Sequence, residues 1–216
     1  MKRAYFITGT DTDVGKTYTT IQLIQYFNDR SYKTAAIKPV SSGCETTSKG
    51  LRNADAKQLA EAISMNFPYE HINPTAYKEH IAPHIAAAMA GDKLTVESLL
   101  RSCQPILQSA YDYLFIEGAG GWEVPLNDYE SVADLAAAFQ YPIILVVGMK
   151  LGCLNHALLT YKNIKTRKLP FAGWIANCID PHMQSQKENI ATLERHFQQA
   201  PITILEHQST IKKLEL

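Results

Sequence analysis

Residues 4–17 read Ala-Tyr-Phe-Ile-Thr-Gly-Thr-Asp-Thr-Asp-Val-Gly-Lys-Thr: a short apolar run, then a glycine-containing loop, then the start of a helical pattern. Backbone N–H groups of such a loop point inward and bind phosphate oxygens, helped by the positive end of the helix dipole. Lys16 would place its ammonium on the β- and γ-phosphates of a nucleotide, and Thr17 would offer its hydroxyl to magnesium. The spacing between Gly9 and Gly15 is one residue longer than the usual pattern. The alternative is an ordinary strand-to-helix turn with a fortuitous Gly-Lys-Thr, but strand, loop and helix together favour a phosphate loop.

Outward from this loop, short apolar runs alternate with longer helical patterns along the whole chain. Several runs are apolar throughout, which is typical of parallel strands covered on both faces. The alternation predicts an α/β fold with a doubly wound, mostly parallel sheet and helices on both faces, as in P-loop NTPases, in one domain spanning residues 1–216. The predicted strands are residues 4–8, 34–38, 113–117, 142–147, 172–177 and 202–206. The predicted helices are residues 17–29, 55–64, 96–110, 132–139, 155–165 and 184–197. Residues 67–83 contain three prolines and favour an ordered excursion over a helix.

Composition excludes several classes of partner. Lys+Arg and Asp+Glu both total 21, so the formal net charge is zero and nothing favours nucleic acid or an anionic membrane as partner. No apolar run approaches the roughly 20 residues of a membrane span. The four cysteines lie far apart without a Cys-x-x-Cys pair, which indicates reduced thiols and a cytoplasmic protein.

Three further charged residues fall in or near the loops where ligands of such sheets bind, at the carboxyl ends of the strands. Lys38 closes an apolar run and is followed by Pro-Val-Ser-Ser-Gly, a position that indicates contact with a substrate or a phosphate. Glu117 ends another buried run before a glycine-rich loop, so it is a candidate magnesium ligand, although a surface carboxylate is the alternative. Asp55 on its own is better explained as the cap of the following helix.

Of the two tryptophans, Trp174 is predicted to fill the core, whereas Trp122 fits either core or pocket wall.

Five blocks of sequence, taken in order, resemble the dethiobiotin synthetase family. The two most specific blocks are Lys-Pro-Val-x-Ser-Gly and Lys-Leu-Gly-Cys-x-Asn-His, since P-loop proteins in general lack them. The longer spacing of the phosphate loop is the family's own. The blocks lie at residues 8–17, 38–43, 117–122, 147–156 and 173–177.

The resemblance implies a ligase that uses ATP and Mg²⁺ to join CO₂ to 7,8-diaminopelargonate and close the ring of dethiobiotin in biotin biosynthesis, through a carbamate and its phosphorylated form. It also implies a homodimer in which the loop at residues 150–155 reaches the partner's substrate site. The implied catalytic residues are Lys16 and Lys38, and the implied metal ligands are Thr17, Asp55 and Glu117. The implied nucleotide-binding residues are Asp13, Val14, Gly15, Lys16, Thr17, Tyr18, Asp55, Glu117, Gly118, Ala119, Gly120, Asn177 and Cys178. The implied substrate-binding residues are Thr12, Ser42, Lys150, Leu151, Gly152 and Asn155.

Three alternative hypotheses compete with the function that this resemblance implies. Cobyrinic acid amidating synthetases need an ammonia source, usually a glutaminase domain, and 216 residues leave no room for one. Partitioning ATPases of the ParA/MinD type carry an additional lysine early in the phosphate loop, which this chain lacks. An inactive relative would not be expected to retain Lys16, Lys38 and Glu117.

The chain departs from the family after the last predicted strand. Members usually carry Gly-x-Ile-Pro there, in a loop that contacts the nucleotide base, whereas residues 200–207 read Ala-Pro-Ile-Thr-Ile-Leu-Glu-His. We therefore expect a weakened preference for ATP over GTP or CTP, because fewer polar groups would read the base. The alternative is that His207 or the backbone of residues 204–206 replaces the missing loop.

Overall fold

The computed structural model describes residues 2–216, and a parallel six-stranded sheet lies at its centre. Two small two-stranded sheets accompany it. The strands are β1 (Arg3–Gly9), β2 (Thr34–Ile37), β3 (Val40–Ser41), β4 (Glu45–Thr47), β5 (Gly50–Arg52), β6 (Thr75–Ala76), β7 (Tyr113–Glu117), β8 (Ile143–Gly148), β9 (Phe171–Asn177) and β10 (Thr203–Leu205). The helices are α1 (Lys16–Asn28), α2 (Ala54–Ala62), α3 (Tyr69–Ile72), α4 (Pro83–Met89), α5 (Val96–Ser102), α6 (Gln104–Leu107), α7 (Val132–Phe139), α8 (Cys153–Thr166) and α9 (Gln186–Phe197).

The order of strands places a crevice at the middle of the sheet. Across the central sheet the strands lie in the order β10, β9, β8, β1, β7 and β2. The connection leaving β1 therefore runs towards β2, whereas the connection leaving β7 runs back towards β8. Connections that leave neighbouring strands in opposite directions open a ligand-binding crevice at their carboxyl ends. The phosphate loop follows β1, and Glu117 ends β7.

Apolar side chains on both faces of the sheet explain why the predicted runs do not alternate with polar residues. On β8, Leu145 and Val147 belong to a buried cluster shared with α8 and α9. Ile144 and Val146 on the same strand belong to the other cluster, which contains Leu23 of α1. Successive residues of a strand point to opposite faces, so both faces of this sheet are covered.

A stack of aromatic rings holds α1 on the sheet. Phe27, near the end of α1, lies with its ring centroid 3.6 Å from that of Tyr113 on β7. Tyr32 meets Tyr113 edge-on at 5.1 Å. Such contacts contribute beyond their buried area, and they fix the far end of the helix whose first turn carries Lys16 and Thr17.

The predicted fold is confirmed, and the six predicted strands are all present with ends that differ by at most one residue. The single helix predicted over residues 96–110 is wrong: α5 ends at Ser102, and α6 restarts at Gln104. Pro105 explains the break, because it has no N–H to donate and is tolerated only in the first turn of a helix. Residues 67–83 are ordered, as expected, but include the single turn α3, which the prolines had argued against.

Beyond β10 the chain runs back along the edge of the sheet. Residues 206–216, called the tail below, contain neither helix nor strand. Ile211, Leu214 and Leu216 pack against the buried cluster that includes α1. The backbone N–H of Glu215 donates to the carbonyl of Ile202 at 3.1 Å, so the tail returns to the start of β10. Among the helices of residues 2–216, none has the length and hydropathy needed to cross a membrane.

Substitution of Trp174 tests how the core is packed. Its side chain on β9 is fully buried, donates its Nε1–H to the carbonyl of Gln199 at 3.0 Å and meets Phe197 edge-on. Replacing Trp174 with alanine should lower the free energy of unfolding by about 3–5 kcal/mol, which for a chain of this size is a fall in Tm of roughly 6–20 °C. Thermal unfolding followed by circular dichroism measures this. Tyr129→Ala is the control, since Tyr129 is 94% exposed; an equal fall in that variant would contradict the assignment.

Candidate active site

The phosphate loop is held in shape by an asparagine from a distant strand. Gly15 has a φ of 81°, and a Cβ added there would clash with Nδ2 of Asn177. A side chain at position 15 is therefore excluded by both backbone conformation and space. Asn177, at the end of β9, donates its Nδ2 hydrogen to the carbonyl of Val14 at 2.9 Å. The loop and the end of β9 consequently form one unit.

Lys16 lies inside this loop. Its Nζ donates to the carbonyl of Asp11 at 2.9 Å, and the residue is buried. Burial lowers the pKa of Lys16 to about 8, although the charge of Glu117 opposes that effect and the charge of Lys38 adds to it. A nearby anion favours the charged form of a buried lysine, so a bound phosphate group would raise the pKa of Lys16 again.

The most charged part of the site is a buried lysine between two carboxylates. Lys38 Nζ lies 2.6 Å from Glu117 Oε1 and 2.9 Å from Asp55 Oδ2. Burial on its own would lower the pKa of Lys38, but the charges of Glu117 and then Asp55, with the hydrogen bonds that they accept, raise it overall. Lys38 is therefore an ammonium. Thr17 joins the group, since its hydroxyl donates to Glu117 Oε1 at 2.8 Å.

The same group has the donor set that magnesium requires. Glu117 Oε2 is buried and has no hydrogen-bond partner among the described residues, which leaves a carboxylate oxygen free for a cation. Asp55 has a side chain that is 44% exposed, so its carboxylate is open to solvent and to a ligand. Magnesium is usually held by one or two carboxylates together with phosphate oxygens and water. Asp55 and Glu117 fit that description, and the hydroxyl of Thr17 adds an oxygen of the kind that magnesium binds beside a phosphate loop.

The structure corrects the interpretation of Asp55 as a helix cap. Asn53 is the capping residue of α2, because its side chain accepts from the backbone N–H of Ala56 at 3.1 Å. Asp55 stands in the first turn, where its carboxylate is free to pair with Lys38. The sequence Arg-Asn-Ala-Asp offers two capping residues, and local pattern alone does not choose between them.

Residues 67–83 hydrogen-bond to the segment that carries Lys38. The sequence did not predict these contacts. The backbone N–H of Lys38 donates to the carbonyl of Ile72 at 2.7 Å, and Asn73 Nδ2 donates to the carbonyl of Lys38 at 2.8 Å. The hydroxyl of the buried Ser41 donates to Asn73 Oδ1 at 2.7 Å. Ser41 therefore has a structural contact, whereas Ser42 is half-buried and stands nearer to solvent. An asparagine before a proline carries no recognisable signal for this role.

The glycine loop after Glu117 lies against the outer part of the phosphate loop. A Cβ on Gly121 would lie 3.7 Å from Cα of Asp11, and one on Gly120 would lie 3.7 Å from the hydroxyl of Thr12. Trp122 is buried, donates its Nε1–H to Asn163 at 2.8 Å, and also lines a cavity of about 560 Å³ with Thr12. It is thus both core and pocket wall. Gly118 is fixed by its N–H, which donates to Ile7, and Ala119 is half-buried beside it.

The loop at residues 150–155 stands at the edge of this group. Lys150 Nζ lies 3.8 Å from the carboxylate of Asp11, an exposed pair across the crevice. Leu151 is 96% exposed, and Asn155 in the first turn of α8 is exposed as well. Gly152 has a φ of 91° with nothing within 4 Å of an added Cβ. Lys150 thus lies beside the phosphate loop, whereas Leu151 makes no comparable contact.

A smaller cavity lies on the other side of the phosphate loop. It measures about 190 Å³ and is lined by Gly15, Tyr18, Asn177, Cys178, Ile179, His207 and Gln208. Burial raises the pKa of Cys178 to about 12, with a further contribution from the charge of Glu206, so its thiol stays neutral. His207 and Gln208 belong to the tail. The expectation of weakened base preference stays a prediction, and the alternative, in which His207 supplies a contact, has a residue in position.

The sequence is similar to that of named enzymes. A family model described as an AAA domain matches residues 3–214. A protein of Cellvibrio japonicus named ATP-dependent dethiobiotin synthetase is 47% identical over 196 residues, which cover 91% of this chain and 86% of that protein. A protein of Chromohalobacter salexigens with the same name is 47% identical over 199 residues, covering 88% of this chain and 84% of its own length.

Solved structures of low sequence identity share the fold. A ParA family ATPase from Chlorobium tepidum has a TM-score of 0.58 at 14% identity and covers 96% of this chain and 84% of its own. The septum site-determining protein MinD from Pyrococcus horikoshii, complexed with Mg-ADP, has a TM-score of 0.56 at 16% identity. The match covers 95% of this chain and 82% of that protein. These likenesses show the P-loop fold alone. The sequence relatives go further and confirm the resemblance read from the motifs: the chain belongs to the ATP-dependent dethiobiotin synthetase family.

Proposed function

We propose that this protein uses ATP to join CO₂ to 7,8-diaminopelargonate and closes the product to the cyclic urea of dethiobiotin. The observation that carries the proposal is Lys38, a buried ammonium between two carboxylates at the crevice that also holds the phosphate loop. A cation in that position suits a reaction between two anions. The relatives named dethiobiotin synthetase support the same reaction.

The proposed chemistry has three steps that balance. One amine of the diamine attacks CO₂ and loses a proton, which gives a carbamate anion. A carbamate oxygen then attacks the γ-phosphorus of ATP, forming a mixed carbamic–phosphoric anhydride and releasing ADP. Finally the second amine attacks the carbamate carbon, the C–O bond to phosphate breaks, and the amine's proton passes to the departing phosphate, which gives the urea ring and inorganic phosphate.

The two lysines would reduce the electrostatic repulsion in the second step, the attack of the carbamate on ATP. Carbamate and triphosphate are both anionic and repel each other, and positive groups placed where charge develops lower that barrier. Lys16 would bind the β- and γ-phosphates from within the loop, and Lys38 would contact the carbamate and the transferred group. Little other protein chemistry is needed, since phosphoryl transfer depends mainly on positioning and electrostatics.

We further propose that Thr17, Asp55 and Glu117 hold Mg²⁺. The ion would neutralise charge on the β- and γ-phosphate oxygens. Lys38 now occupies the space between the two carboxylates, and it is the group that would turn towards the substrate when they coordinate a metal. The remaining ligands would be phosphate oxygens and water. The base would enter the cavity beside Asn177.

The diamine is proposed to bind along Thr12 and Ser42, on the far side of the phosphate loop from the base. Leu151 and Asn155 are exposed at that edge, so they are available to a second copy of the chain. We propose a homodimer in which the loop at residues 150–155 completes the partner's substrate site. Isologous contacts of this kind are usual in symmetric dimers. We also propose that residues 1–216 act as one domain.

A lysine variant tests the proposed reaction. Wild-type protein with 7,8-diaminopelargonate, bicarbonate, ATP and magnesium should yield dethiobiotin, detected by mass spectrometry. Lys16→Ala and Lys38→Ala should each reduce turnover by roughly 100- to 1,000-fold, because each removes a charge that stabilises the transition state. Lys57→Ala is the control, since Lys57 forms an exposed ion pair with Glu45 and should keep normal rates. Phosphate release that does not depend on the diamine would contradict the proposal.

Glu117→Gln tests the metal assignment. The amide keeps the size of the side chain but removes the negative charge, so magnesium should bind more weakly. We expect the half-saturating magnesium concentration, measured by titration against initial rate, to rise by about tenfold or more. Glu123→Gln serves as the control, because Glu123 is an exposed carboxylate paired with Arg167. An unchanged half-saturating concentration in Glu117→Gln would show that Glu117 is not a ligand.

Mixed dimers test the shared site. Lys16→Ala and Asn155→Ala proteins should each be nearly inactive alone, but a mixture allowed to exchange subunits should recover about a quarter of wild-type activity, since half the dimers are mixed and each has one intact site. Lys16→Ala mixed with Lys38→Ala should recover nothing, because those two residues act in the same subunit. Full activity in a species that sediments as a monomer would contradict the shared site.

A further inference from the structure

One hydrogen bond joins the first turn of the phosphate-loop helix to the tail. The hydroxyl of Tyr18 donates to the backbone carbonyl of Ser209, across 191 positions of sequence. Tyr18 lies two residues after Lys16, on α1, and is half-buried. The bond therefore connects the element that binds phosphate to a segment that has no helix or strand of its own.

The bond falls at the point where the tail meets the small cavity. His207 and Gln208, which line that cavity, immediately precede Ser209. Gln208 has a φ of 56°, and the N–H of Ser209 donates to the carbonyl of Glu206 at 3.0 Å, so these residues form a tight turn. Because Tyr18 lines the same cavity, its hydroxyl joins the wall formed by α1 to the wall formed by the tail.

The cavity has the size of one part of a nucleotide. At about 190 Å³ it is smaller than the roughly 300–1,000 Å³ of sites that enclose a whole ligand. It borders Gly15, next to the lysine proposed to bind phosphate, so a nucleotide held by the loop would direct its nucleoside end there. The tail wall then contacts the nucleoside and makes no contact with the phosphates.

We propose that Tyr18 is a positioning residue for the nucleoside: it holds the tail, through the carbonyl of Ser209, in the conformation that closes the base cavity. This inference rests on the nucleotide-binding function proposed above and adds to it a residue that acts through the tail. Without the bond, the turn at residues 206–209 would have to be ordered when the nucleotide binds, and the ordering entropy would reduce affinity. The phosphate contacts of Lys16 would be unaffected.

Tyr18→Phe removes the hydroxyl and keeps the ring. Inhibition constants against ATP are measured for ADP and for magnesium pyrophosphate, which has no nucleoside. In Tyr18→Phe the constant for ADP should rise about three- to tenfold, in line with the loss of one neutral hydrogen bond, while that for pyrophosphate stays at its wild-type value. Tyr26→Phe is the matched control, since Tyr26 lies on the same helix and its hydroxyl has no hydrogen-bond partner among residues 2–216.

A second measurement follows the tail directly. Lys212 and Lys213 are exposed in the tail, and trypsin cleavage after them is read by the intact mass. Without nucleotide, cleavage should be faster in Tyr18→Phe than in wild type or Tyr26→Phe, and ADP should slow it in wild type. If Tyr18→Phe melts far below wild type, deletion of residues 209–216, which removes the carbonyl that accepts from Tyr18, replaces it, with the same expected loss of affinity for ADP alone.

The outcomes separate this inference from the function on which it rests. An unchanged ADP constant, or equal losses for ADP and pyrophosphate, would overturn the positioning role and leave the nucleotide site standing. Equal losses would mean that Tyr18 acts on the phosphate loop itself. A wild-type protein that binds neither inhibitor would overturn the nucleotide site and the inference together.

Discussion

Burying a carboxylate is expensive unless a cation and hydrogen bonds compensate for the lost water. Glu117 has no exposed surface, and the partners that its Oε1 accepts from are the ammonium of Lys38 and the hydroxyl of Thr17. Those residues follow β2 and the phosphate loop, so one acid draws together the ends of three strands. Removing a partner from such a group typically costs several kcal/mol. The geometry of the site is therefore tied to the stability of the sheet.

The same constraint explains why much of the site could be predicted from sequence. Lys16, Lys38 and Glu117 follow or end apolar runs that read as parallel strands, and carboxyl ends of parallel strands lie at one edge of a sheet. Once the runs are recognised, the edge follows, and the charged residues on it must be close to one another. The glycines of the phosphate loop are a second signal in the sequence. At position 15 the αL backbone conformation and the neighbouring amide of Asn177 leave no room for a side chain.

The supporting contacts could not be predicted in the same way. Asn73 holds the backbone of Lys38 and the hydroxyl of Ser41, yet it lies in a segment whose prolines gave no regular pattern. Asn53, and not Asp55, caps α2, and Asp55 pairs with Lys38 instead. Tyr18 reads in sequence as an ordinary helix residue, and its partner is a backbone carbonyl at the other end of the chain. Side chain to backbone bonds over long separations leave no periodic or spacing signal.

The two ends of the proposed nucleotide site differ in how firmly they are built. The phosphate end consists of buried charges and a loop in close contact with β9, whereas one wall of the base end is a tail held by a tyrosine, a backbone bond and three half-buried apolar side chains. A site discriminates against a wrong base by leaving its buried polar groups unpaired. If one wall of the cavity can move away, water reaches the unpaired polar groups. The free-energy penalty for binding a wrong base then cannot exceed the free energy needed to displace that wall. The strength with which the tail is held therefore sets the upper limit on base discrimination, whichever side chains line the cavity.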